Sequence, residues 1–165
     1  MPRPIPSSLL LALLLAATAA AEGPTLVPDR LLAFELEDQH GAPGRVDDGV
    51  RVLLLSRDMD GGAVVRDALG SKGEGAAGYL LERGAVYVAD VSRMPGIVRT
   101  LFALPSMRRR PYPMLLDTTG DVTRPLPSEE GRATVLWLEA LQPVRIEFVD
   151  SPGALLEKLG PEPAP

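Results

Sequence analysis

The stretch "RDMDGG", Arg57 to Gly62, places two carboxylates two residues apart, between an arginine and a glycine pair, directly behind the apolar run Val50 to Leu55. Carboxylates in that position can do three kinds of chemistry. They can attack a phosphate ester and move its proton while sharing a Mg²⁺ ion, with Asp58 as nucleophile and Asp60 as acid/base. They can open a calcium loop, but an EF-hand also needs a third acidic position and a distal glutamate, which this spacing lacks. Or they can accept the orphan N–H groups at the start of a helix and react with nothing. The residue types fit the third use: Asp60 is expected to cap the helix, Asp58 to be solvated, and Gly61-Gly62 to let the chain turn. A helix N-terminus favours the ionised carboxylate, which makes it a poor general acid.

Other reactive residue types are scarce. The chain has no cysteine, so it performs no thiol chemistry of its own. His40 is the single histidine and precedes Gly41 in an expected surface turn. A histidine-built metal site is thereby excluded, as is a Ser-His-Asp triad that does not use His40. Arg108, Arg109 and Arg110 are the one basic cluster. They read as a solvated loop, or as an anion or acidic-partner site, since a guanidinium grips carboxylate and phosphate through two N–H bonds. Trp137 alternates with Val135 and Glu139 and is expected to pack against a helix.

The 165-residue chain is 45% hydrophobic with a net charge of −5, the balance of one globular domain. Arg3, the apolar run Leu9 to Ala17 and the alanines at 19, 20 and 21 have the order of a secretory signal peptide over residues 1–21. The run is too short for a membrane span, which needs about 20 apolar residues. Cleavage after Ala21 would remove Arg3 and no acid. The acidic balance argues against non-specific binding to nucleic acid or anionic membranes, which need positive patches. No membrane anchor is expected after cleavage, and the expected location is exported, in the periplasm.

Elements that could position these residues follow from pattern. Leu31 to Gly41 reads as a short edge strand and hairpin, and Val50 to Leu55 as a strand covered on both faces. Val64, Val65, Ala68 and Leu69 share one helical face, and Ala76 to Arg83 forms a second short helix. Ala85 to Val91 is another strand. Ser92 is expected to cap a helix holding Ile97, Val98, Leu101 and Leu104, which Pro105 stops. A short strand and turn lie within Pro111 to Asp121, and Ala133 to Val149 is a hairpin turning near Ala140 to Pro143. Ser151 and Pro152 open a last helix with Leu155, Leu156 and Leu159 on its buried face. The order predicts an α/β sandwich with a mixed β-sheet flanked by helices over residues 22–160, and a disordered tail at 161–165.

That order resembles the thioredoxin-like superfamily in its peroxiredoxin and TlpA-like layout, a three-layer sandwich. "AFELEDQHG" resembles the family's opening hairpin, "VRVLLLSRD" the strand before the active-site loop, "YPMLLDTTGDV" the segment between the halves, and "RATVLWLEALQPVRIEF" the terminal hairpin. The "VRVL" strand, the acidic "EE" loop and the closing helix resemble the YtfJ-type group of small exported proteins. The resemblance places a redox cysteine near Met59 to Gly62, where none stands, and a cis-proline where Ala133 stands. Arg132 matches the arginine that peroxiredoxins hold beside their thiolate. Peroxidase and disulfide-exchange activities therefore do not carry over.

What remains is a cysteine-free binding or accessory module for an unknown protein or small molecule, with no cofactor or metal expected. Its ligand edge would comprise Arg57, Asp58, Asp60, Gly61, Gly62, Arg132, Ala133 and Thr134, with Arg132 paired to Asp58 or Asp60. Two rivals are enzymatic. "DMDGG" resembles the first motif of haloacid-dehalogenase-type phosphatases, although the later lysine and acidic pair of that family are not matched. A flavin-linked redox protein is the other, although no G-x-G-x-x-G opens a helix behind a strand.

Overall fold

A computed structural model describes residues 28–160; the signal-peptide and tail readings at 1–21 and 161–165 lie outside it. A two-stranded antiparallel hairpin comes first, β1 (Phe34–Glu37) with β2 (Pro43–Val46). The main sheet then forms in the order β5-β4-β3-β6-β7. Its strands are β3 (Val52–Ser56), β4 (Ala85–Asp90), β5 (Leu115–Asp117), β6 (Ala133–Glu139) and β7 (Gln142–Val149). β3, β4 and β5 run parallel, while β6 and β7 are antiparallel additions. The helices are α1 (Met59–Gly70), α2 (Ala76–Glu82), the short pieces α3 (Gly96–Val98) and α4 (Leu104–Met107) joined by a π turn, and α5 (Pro152–Leu159).

β3 is the central strand and every residue of "VLLLS" is buried. Its period of two sorts the side chains: Val52 and Leu54 enter the core under the helices, Leu53 and Leu55 the core on the other face. Both crossovers, β3 to β4 and β4 to β5, step in the same direction. Right-handed connections therefore put their helices on one face, where α1, α2, α4 and α5 all contribute to one cluster. Leu31, Val46, Leu126 and Leu141 cover the other face, so the third layer is the β1–β2 hairpin and loops.

Two expectations about local structure are corrected. The helix after β4 does not stop at Pro105. Proline has no N–H and its ring crowds the carbonyl four residues back. The ladder widens into a π turn over Arg99–Ala103, where the N–H of Leu104 donates to the carbonyl of Arg99, and the helix resumes to Met107. Nor does Ser92 cap it. Pro95 is the first non-helical residue, and the Ser92 N–H and hydroxyl both donate to Asp90 Oδ1. Of the four apolar residues expected inside, only Leu104 packs on the core; Ile97, Val98 and Leu101 are exposed.

The terminal hairpin turns through Ala140 and Leu141, both with positive φ (48° and 67°), the conformation of a two-residue turn between twisted strands. Leu141 is buried there, and its carbonyl accepts from the Leu31 N–H at 2.8 Å. α5 starts as its sequence implies, with Ser151 accepting from the Ala154 N–H and Pro152 in the first turn.

Candidate functional site

Only Arg57 and Asp58 separate the end of β3 from α1, so "DMDGG" is largely the helix's own first turn. This reverses the expected roles of the two aspartates. A capping side chain must reach the N–H two or three residues into the helix. With Met59 as the first helical residue, Asp58 is the cap, its Oδ1 accepting from the Gly61 N–H at 2.7 Å. Asp60 lies in the first turn, exposed, where its charge faces the helix dipole.

The second oxygen of Asp58 is also engaged. Oδ2 accepts from the Gly131 N–H at 2.9 Å, so one carboxylate ties the helix start to the loop entering β6. The two segments touch elsewhere as well. A Cβ on Gly61 would lie 2.4 Å from the carbonyl oxygen of Arg132, so Gly61 is there to permit close approach and not to turn the chain. Ala133 and Thr134 are buried beside it, with Thr134 Oγ1 donating to the Pro127 carbonyl at 3.1 Å. The Arg132 guanidinium does not reach Asp58 or Asp60 in an ion pair. It turns outward and bonds Glu129 at 2.8 Å. Backbone N–H groups already occupy both oxygens of Asp58, so its hydrogen bonding does not need the arginine.

Arg57 faces the other way. Its Nη2 donates to the carbonyls of Thr123 and of Leu126 (2.7 Å), and its Nε lies 3.9 Å from Asp90 Oδ2. Burial pushes the guanidinium below its ordinary pKa, with Asp90 opposing. Arg57 is thus a strut holding the loop before β6 to the sheet. Of the residues that complete this strut, Asp90, Asp117 and Thr123 escaped the sequence reading, and Ser92 was expected in another role, as a helix cap. Asp90 Oδ2 accepts the Thr123 hydroxyl at 2.9 Å. Asp117 accepts N–H groups of Gly120 (2.7 Å) and Thr119 (3.2 Å) on one oxygen and of Thr123 (2.8 Å) on the other. Burial alone would raise the Asp117 pKa, but those N–H bonds outweigh it and hold the carboxyl below its usual range. The available signal was positional. Both aspartates end parallel strands, at the sheet edge where open α/β folds place their sites.

Below α1, the buried hydroxyls of Ser56 and Tyr87 share a hydrogen bond of 2.8 Å. Desolvation raises Tyr87 to about 12 and also raises Tyr112. Among the described residues no carboxylate or imidazole hydrogen-bonds any of these hydroxyls. Among the described residues no three acidic or histidine side chains converge on a point that could hold a metal ion. The solvent-facing groups at this edge are Met59, which is 85% exposed, Asp60, Glu129 and Arg132.

The remaining candidates lie apart from this edge. Arg108 follows α4 and donates to the Gln39 carbonyl at 2.9 Å, while Arg109 reaches back to the Pro105 carbonyl at 3.2 Å. His40 is exposed in the β1–β2 turn as expected. Trp137 packs on the helix-side core with the Arg145 guanidinium 4.4 Å over its ring.

Solved structures share this architecture. Peroxidoxin BcpB from Mycobacterium tuberculosis is 22% identical over 81% of this chain and 92% of its own, with a TM-score of 0.50. The exposed lipoprotein thioredoxin Etrx1 of Streptococcus pneumoniae strain TIGR4 is 16% identical over 78% and 98%, at 0.52. StoA from Bacillus subtilis is 10% identical over 78% and 96%, at 0.50. No family model matches the sequence, and no curated protein does. The fold is therefore thioredoxin-like. Within that class this chain is a version without cysteine, carrying a doubly bonded aspartate at the start of α1.

Proposed function

We propose that the chain is an exported, non-redox thioredoxin-like module, of the kind the YtfJ-type group represents, that works by binding and not by turnover. One observation carries this reading. Just before Met59 to Gly62, the stretch near which the resemblance puts a redox cysteine, Asp58 commits both oxygens to the N–H groups of Gly61 and Gly131. A carboxylate so committed braces two loops and leaves no free nucleophile, which weighs against the phosphatase reading. The braced edge presents an apolar side chain, Met59, beside charges of both signs, Asp60 and Arg132, a surface suited to a peptide segment or a small polar ligand.

The test is site-specific photo-crosslinking in the native compartment. A photoreactive residue at Met59 is expected to give a discrete adduct, weakened in Arg132→Glu, while the same residue at exposed Leu81 on α2 gives none. Equal labelling from both positions would refute the ligand edge. Turnover of a generic phosphate ester that disappears in Asp58→Asn, or flavin absorbance in the purified protein, would refute the non-enzymatic reading. Protein sequencing of the exported form checks the cleavage expected after Ala21.

A further inference from the structure

We infer that the helix spanning α3, the π turn and α4 is a contact site for anionic phospholipid bilayers. Ile97, Leu101 and Phe102 are 69%, 59% and 70% exposed, with Val98 at 40% beside them. Their spacing puts them on one side of the helix, while Leu104 and Met107 fasten it to the core. Four neighbouring apolar side chains exposed together on one helix mark an interaction surface.

Charge decides what the ridge meets. Residues 91–116 hold five arginines, Arg93, Arg99, Arg108, Arg109 and Arg110, and none of the chain's 22 acids. The acidic balance that argued against anionic membranes is a sum over the whole chain; the segment carrying the ridge is itself positive, and the nearby acids Glu35, Glu37 and Asp38 line the groove beside it with Arg99 and Arg108. A second copy docking ridge to ridge would bring arginines against arginines. An acidic peptide would need a concave seat, which side chains projecting from one side of a single helix do not make. The neighbouring groove, about 350 Å³, carries Glu35, Glu37 and Asp38 on its hairpin side, which repel acidic side chains. A deformable anionic surface accepts projecting Leu, Ile and Phe side chains and pairs with flanking arginines. The acidic remainder of the molecule is repelled, which orients the ridge inward. No helix among the described residues is long and apolar enough to cross a membrane, so the contact is interfacial.

Flotation of the purified protein with vesicles tests this. Wild type is expected to float with phosphatidylglycerol/phosphatidylcholine vesicles, less so at high salt, and not with phosphatidylcholine alone. Leu101→Ser with Phe102→Ser, and separately Arg93→Gln with Arg109→Gln, should each weaken binding by about tenfold or more. All four positions are exposed, so unchanged thermal midpoints will show intact folds. The absence of native cysteine permits one further readout. An environment-sensitive fluorophore on Leu101→Cys should shift blue on the anionic vesicles, and one on exposed Glu139→Cys, at the end of β6 beside the terminal hairpin turn, should not. Failure of the wild type to float, flotation indifferent to the ridge variants, or equal shifts at both labels would overturn the inference. So would a Leu101 label that responds to a lipid-free extract and not to vesicles, which would assign the face to a protein partner.

Discussion

At the scale of single residues, the two aspartates of "DMDGG" should separate sharply on substitution. Asp58→Ala leaves the Gly61 and Gly131 N–H groups without their acceptor, and should cost about 2 kcal/mol in urea denaturation. Asp60→Asn removes only an exposed charge in the first turn, a change of about 0.3–1 kcal/mol. Asp117 makes a prediction in pH. Its N–H partners hold the folded-state pKa below the unfolded value near 3.9. Its contribution is therefore present above that value and lost as pH falls through the acid range. Asp117→Asn abolishes this titration, so the gap in urea midpoint between wild type and variant should shrink as pH drops from about 6 to about 3.

At the scale of elements, the start of α1 and the loop entering β6 depend on a glycine for backbone contact. Gly61→Ala would force its Cβ against the Arg132 carbonyl and should destabilise by about 1–3 kcal/mol, whereas Gly62→Ala, whose nearest neighbour is 3.7 Å away, should be tolerated. The hairpin turn offers the reverse test. Ala140 has φ of 48°, a region that costs L-residues about 1–2 kcal/mol, so Ala140→Gly should raise the thermal midpoint. Elements with a local signal matched their sequence patterns: the fully buried β3, the Ser151-Pro152 start of α5, and the alternation of β6. The 96–107 helix did not. Its apolar spacing is that of a buried face, but the residues that turn inward are set by the π turn that Pro105 imposes.

For the molecule as a whole, stability rests on two cores back to back on one sheet, with no disulfide. The helix-side core contains Tyr87 and Tyr112, whose ionisation burial opposes. Tyr87 has a folded-state pKa raised to about 12, above the unfolded value near 10. Its stabilising contribution is thus complete below about pH 10 and lost as pH climbs towards 12. Alkaline titration should show tyrosinate absorbance for these two residues only together with loss of circular dichroism. Tyr87→Phe, which leaves the Ser56 hydroxyl without its partner, should lower stability by about 1 kcal/mol. The sequence by itself determined the strand and helix order and the absence of thiol chemistry, because these depend on periodicity and residue counts, while the thioredoxin-like layout came from the resemblance of its motifs to that family. Tertiary structure alone decided that Asp58 and not Asp60 caps α1, that Arg132 turns to Glu129, that Arg57 braces Asp90 and the Thr123 loop, and that four apolar side chains stand in solvent. Those outcomes depend on which donors and surfaces distant segments bring together, and local pattern carries no record of that.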